Sequence, residues 1–168
     1  MKYIALIRHA KSSRKDVALQ DLDRPLNHRG ELNAPIMGGR LNDQQVVWSR
    51  VFCSPALRAR QTATFLAPAV GLSDKDIEVV PSLYTFNYEE LLYWLSTLER
   101  HEDGLLVVCH NPAITDLVNF LALSDLEKIP TCGVALLKIN VLNWGRIGAG
   151  MGEMTYYDYP KNHFLKRG

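Results

Sequence analysis

No apolar run in the chain approaches the roughly 18 residues needed to span a bilayer; the first reaches only from Tyr3 to Ile7. A membrane role is therefore not expected, and nothing in that short run reads as a secretory leader. Cysteine is scarce as well. Cys53, Cys109 and Cys132 are odd in number and stand in no metal-ligand spacing, which excludes a disulfide framework. Cys53 and Cys109 end apolar runs and read as buried free thiols, which fits a reducing, cytoplasmic setting. An excess of one charge sign is also missing. A formal net charge of +1 argues against a nucleic-acid partner, which normally selects a marked basic surplus. Internal repeats, low-complexity tracts and linkers are absent too, so a single domain over residues 1–168 is expected.

What is present is an ordinary globular composition, with 47% hydrophobic and 22% charged residues. Apolar runs of interior-strand type occur at Tyr3–Ile7, Val51–Cys53, Ile77–Val80 and Leu105–Cys109. Helical patterns lie between them. Pro55–Leu66 starts with Ser54 as expected N-cap and Pro55 at the first helical position. Asn87 leads into Glu89 and Glu90, an entry resembling a capping box, followed by an apolar stripe of Leu91, Leu92, Leu95 and Leu98. Ile114, Leu117, Val118 and Leu121 repeat at helical spacing. Asn27–Leu41 also reads as a helix, but Pro35 inside it predicts a kink or a later start. Val134–Val141 and Glu153–Tyr159 read as two strands joined by a Gly-rich connection. Strands alternating with helices predict an α/β three-layer sandwich with a largely parallel central sheet.

In such sheets ligands bind beyond the carboxyl ends of the strands. Charge is placed unevenly there: residues 1–30 hold seven Lys/Arg against three Asp. The first strand of the segment "LIRHAKSS" runs into Arg8 and His9, the second ends at Cys53-Ser54-Pro55 just before Arg58, and a third ends at His110. Two guanidiniums and two imidazoles at neighbouring strand ends, with a helix N-terminus beside them, suit a phosphate. His28, His101 and His163 stand apart from this group and read as structural. No carboxylate or Cys/His cluster has ligand spacing, so no metal and no other cofactor is expected.

These residues carry a resemblance. "LIRHAKSS" resembles the Arg-His signature of the histidine phosphatase, or phosphoglycerate mutase-like, superfamily. "CSPALRARQTA" is similar to its Ser-Pro-x-x-Arg-Ala-x-Gln-Thr signature, and "VVCHNPAI" to the segment with its second histidine. "DRPLNHRG" and the Arg-His-Ala-Lys-Ser variant resemble the SixA-like phosphohistidine phosphatases in particular. The resemblance implies a phosphoglycerate mutase-like fold and a covalent mechanism. His9 would be the phosphorylated nucleophile, with Arg8, Arg58 and His110 holding the phosphoryl oxygens. Arg24 would be a further phosphate or substrate contact, and Lys11 and Ser12 would line the mouth.

The departures bear on substrate. Mutase-type members carry a Glu after the third strand where this chain has "PSLYTF", and acid-phosphatase members an Asp where it has Asn111. Both proton-donor positions are vacant, as they are in SixA-like members. An alkoxide leaving group needs a proton in the transition state; a phosphoramidate can leave as imidazole, protonated from solvent. Nor is there a large insertion to close over a small sugar phosphate. The expected partner is thus a phosphorylated protein, a histidine phosphotransfer protein being one such. Two alternatives stay open: a small phosphorylated substrate handled by a phosphomonoesterase or mutase, and a non-catalytic phosphate-binding module.

Overall fold

The computed structural model describes residues 1–164. Six strands form one sheet: β1 (Lys2–Arg8), β2 (Arg50–Cys53), β3 (Ile77–Val79), β4 (Leu105–Cys109), β5 (Val134–Ile139) and β6 (Gly152–Asp158). Their order is β3-β2-β4-β1-β5-β6. The pairs β3·β2, β2·β4 and β4·β1 are parallel, whereas β5 runs antiparallel to both β1 and β6. The helices are α1 (His28–Asn42), α2 (Leu57–Leu66), α3 (Tyr88–Ser96), α4 (Ala113–Ala122) and a short α5 (Lys161–Phe164). This is the expected α/β sandwich.

Period-two alternation builds the three layers. Ala5 and Ile7 of β1, with Leu106 and Val108 of β4, pack on Ala34, Met37 and Leu41 of α1 and Ala59, Ala63 and Leu66 of α2. Their neighbours Ile4, Leu6, Leu105 and Val107 face the opposite side, against Leu91 and Leu95 of α3 and Leu117, Val118 and Leu121 of α4. Every residue of β4 is buried, as a strand covered on both faces must be. Removing any one of these buried leucines to Ala typically costs about 2–5 kcal/mol.

Three local expectations need revision. Helix α1 begins at His28, with the Asn27 side chain accepting from the Gly30 N–H, and it runs on through Pro35. Pro35 and Glu31, four residues back, are both exposed, so the carbonyl left without a donor can turn to water. Second, Ser54 is not the N-cap of α2: that helix starts at Leu57, after Ala56, with no side-chain cap. The Ser54 N–H still donates to Val108 O at 3.0 Å, so the chain leaves the sheet later than the cap rule implies. Third, Leu98 lies beyond the end of α3, and Leu92 is only half-buried, so the apolar stripe is carried by Leu91 and Leu95.

Candidate active site

Strand register sets the site. Arg8 pairs with Cys109 and Cys53 with Val108, so His9, Ser54 and His110 emerge together at the carboxyl ends of three adjacent strands. The His9 N–H donates to Cys109 O at 3.1 Å, fixing the first turn after β1. Thr62 ties α2 to that turn: its hydroxyl donates to Arg58 O at 2.7 Å and accepts from the Ala10 N–H at 2.9 Å. Gln61 accepts from the Leu26 N–H at 2.8 Å and holds the segment that carries Arg24. The sequence "RARQT" thus supplies one guanidinium and two clamps.

At the centre the His9 ring is only 8% exposed, and its Nδ1 lies 2.8 Å from Ala10 O. A carbonyl can only accept, so Nδ1 carries the proton and the lone pair is left on Nε2. That lone pair faces Arg58, whose Nε donates to it at 3.3 Å. Arg58 is itself 3% exposed and spans the site. Its Nη2 donates to His110 Nδ1 at 3.3 Å, which makes Nε2 the protonated nitrogen of His110; that N–H donates to Ser54 Oγ at 2.8 Å. Arg8 lies on the other side, with Nη1 donating to Ile129 O at 3.1 Å and a buried Nε that has no partner. An unpartnered buried guanidinium N–H is a donor awaiting an anion.

Two residues in the site were not singled out from the sequence, Asp21 and Tyr84. Arg58 donates from Nη1 to Asp21 O at 2.7 Å and from Nη2 to Asp21 Oδ2 at 3.0 Å. Tyr84 donates its hydroxyl to the same oxygen at 2.6 Å, and its ring stands edge-on to His110 with centroids 5.4 Å apart. Partial burial pushes the Asp21 carboxyl upward, but the bonds from Tyr84, Arg58 and Arg24 outweigh it and hold the group well below the usual carboxylate range. Asp21 is therefore an ionised anchor for Arg58, poorly suited to give up a proton. The one sequence signal for it is indirect: a buried Arg58 requires a carboxylate partner.

The remaining expected residues are gathered here with different partners. Arg24 donates to Asp21 Oδ1 at 3.1 Å and to Ser12 Oγ at 2.8 Å, so it braces Asp21 and Ser12 as well as facing the mouth. His9, Lys11, Ser12 and Arg24 line one cavity of about 350 Å³. Asn111 donates to Ile129 O at 2.8 Å and accepts from the Thr115 hydroxyl at 2.8 Å. An ionised Asp could not make the first of these bonds. Asn87 caps α3, its side chain accepting from the Glu89 N–H at 2.9 Å, and the Glu90 carboxylate accepts from the Thr85 hydroxyl. Among the described residues no group of three or more His, Cys, Asp or Glu could hold a metal ion.

Burial, chiefly, lowers the His9 pKa from 6.5 to about 3 and that of His110 from 6.5 to about 4, with Arg58 adding repulsion at both. Both rings are neutral near pH 7, so the Nε2 lone pair of His9 is available. The same shifts predict an acid sensitivity. The unfolded chain protonates these rings near pH 6.5 and the folded chain only near 3 and 4. Their stabilisation is complete above pH 6.5 and falls with pH, by about 1.4 kcal/mol per pH unit for each ring. Denaturant unfolding between pH 6.5 and 4.5 should show this slope, reduced by about one such increment in His110→Gln. An identical slope in His110→Gln would mean that this ring titrates normally.

A neutral imidazole lone pair ringed by two guanidiniums, a second imidazole and an anchored carboxylate can take and release a phosphoryl group. The comparisons define the class. The profile of the histidine phosphatase superfamily (branch 1) matches residues 4–92, and the chain belongs to that superfamily of phosphatases. Within it the chain is SixA-like. The protein histidine phosphatase SixA, solved with tungstate, superposes with a TM-score of 0.78 at 25% identity, over 95% of this chain and 98% of that one. A protein assigned as the phosphohistidine phosphatase SixA of Nakamurella multipartitia gives 0.80 at 25% identity, over 95% and 96%. An uncharacterized protein of Mycobacterium tuberculosis (strain H37Rv) is 30% identical over 165 residues, 92% of this chain and 100% of that one. The phosphoglycerate mutase-like α/β fold follows from the same superpositions. Among the described residues no helix is long and apolar enough to cross a membrane.

Proposed function

We propose that the chain hydrolyses phosphohistidine on a protein through a covalent intermediate on His9 Nε2. In the first step Nε2 attacks phosphorus in line, the bond from phosphorus to the substrate imidazole breaks, and that imidazole takes its proton from water. Arg8 and Arg58 neutralise the equatorial oxygens, with the neutral His110 ring beside them; the free Nε of Arg8 and the Arg58 Nε that now points at His9 are the first donors available. In the second step water attacks phospho-His9, phosphate departs and the lone pair returns to Nε2.

The observation that carries the reading is the state of the carboxylate beside Arg58. Asp21 is held ionised by Tyr84, Arg58 and Arg24, and Asn111 stands where acid-phosphatase members carry an Asp. A site built this way favours a leaving group that needs little help to depart. The test uses a phosphotransfer protein carrying labelled phosphohistidine. Release of labelled phosphate, with transient acid-labile label on His9, is the expected result. Label that neither transfers nor is released, beside ready hydrolysis of phosphomonoesters, would move the assignment to the small-molecule alternative. Binding of phosphate without any turnover would favour the non-catalytic module.

A further inference from the structure

Beside the His9 mouth lies a second cavity, of about 330 Å³, whose lining includes Arg8, Lys11, Arg29, Asn33, Lys128 and Lys161. Five of these are cationic, and no carboxylate lines the cavity among the described residues. It shares Arg8, Lys11 and Thr131 with the cavity that holds His9, so the two are contiguous.

The fold assembles this charge on purpose-built contacts from separate segments. Arg29 and Asn33 are one helical turn apart on α1 and share a face. Gly30 lets α1 approach the turn after β1, since a Cβ there would stand 2.3 Å from Lys11 O. Lys128 precedes Ile129, whose carbonyl accepts from Arg8, and the following Cys132 N–H donates to the Arg8 and His9 carbonyls at 3.1 and 3.0 Å. Lys161 opens α5. Among the described residues none of Lys11, Arg29, Lys128 and Lys161 lies within ion-pair distance of a carboxylate. One buried donor at the junction of the two cavities, the Arg8 Nε, has no partner. Gathering unpaired cations in one cavity costs free energy unless an anion joins them.

We propose that this cavity seats a second anionic group of the substrate, a phosphate or carboxylate covalently attached near the phosphoryl group that His9 receives. Arg8 stands at the junction of the two cavities and orients one anion relative to the other. The inference rests on the reading of His9 as the phosphoryl acceptor, and it narrows the substrate class to molecules with at least two anionic groups. Two sources share this chemistry: an Asp or Glu beside phosphohistidine in a protein, and a second phosphate on a small molecule.

The test compares matched ligands in wild type and in the double variant Arg29→Glu/Lys128→Glu, both positions being exposed and outside the His9 site. Calorimetry with peptides bearing a stable phosphonate analogue of phosphohistidine, one flanked by Glu and one by Gln, gives affinities that do not depend on turnover. The Glu peptide should bind wild type about 10-fold more tightly, and the double variant should abolish that advantage while the Gln peptide is unaffected. A bisphosphate compared with its monophosphate reads the second source; a gain there but not with the peptide assigns the cavity to small molecules. Hydrolysis of an aryl monophosphate whose aryl group carries no second anion should be unchanged in the variant, which separates this cavity from the reading of His9. Equal affinity of wild type for charged and neutral members of both pairs would overturn the proposal, as would an equal loss for both in the variant.

Discussion

His9→Ala is expected to lower kcat by at least about 100-fold while the protein stays folded. The substitution deletes the Nε2 proposed to attack phosphorus and with it the proposed phosphoenzyme. Little else depends on the ring. Its Nδ1 bonds the adjacent Ala10 carbonyl, and Arg58 keeps its two bonds to Asp21 when the Nε contact goes. Vanadate affinity should therefore fall much less than kcat, because the Arg8 and Arg58 guanidiniums remain to hold an oxyanion. Removing a buried, proton-refusing imidazole should also make the variant less acid-sensitive than wild type. A variant that keeps more than about a hundredth of the wild-type rate would rule out the covalent route.

Activity should also depend steeply on the leaving group. Without a side chain ready to protonate the departing atom, N-phosphoryl imidazoles should be hydrolysed fastest and aryl phosphates more slowly. Alkyl phosphates such as phosphoserine or phosphoglycerate should trail by about 10²-fold or more, the usual contribution of a general acid. The comparison belongs on kcat/KM with matched substrates, so that binding does not mask chemistry. Should phosphoserine equal phosphohistidine, a proton donor must be present. Asp21 would be the residue to replace first, since its carboxylate lies 3.0 Å from Arg58 Nη2 and 2.6 Å from the Tyr84 hydroxyl. Asp23, Glu89 and Glu90 make no hydrogen bond or ion pair with Arg58, His9 or His110 among the described residues.

The strand ends and their cargo were legible because they are local. The continuous apolar runs Leu105–Cys109 in β4 and Tyr3–Ile7 in β1 mark interior strands wherever they lie, and the residue after each must face the carboxyl edge. Arg8, His9, Arg58 and His110 could thus be placed together before any coordinates. Ser54 shows where local rules mislead. A Ser-Pro before an apolar helix reads as a cap, but β2 extends its pairing one residue further and His110 takes the hydroxyl instead.

What the sequence by itself determined, then, is the layered fold and the edge that gathers Arg8, His9, Arg58 and His110, since hydrophobic period and strand ends are properties of neighbours along the chain. Only the tertiary structure decided that Asp21, 37 residues from Arg58, is its counter-ion, and that Tyr84, 63 residues from Asp21, braces it. It decided equally that Arg29, Lys128 and Lys161 converge on one unpaired cationic cavity. A charge carries no periodic signature, because its energy depends on which charges stand near it in space, and loops such as these bring those neighbours together from segments with no pattern of their own.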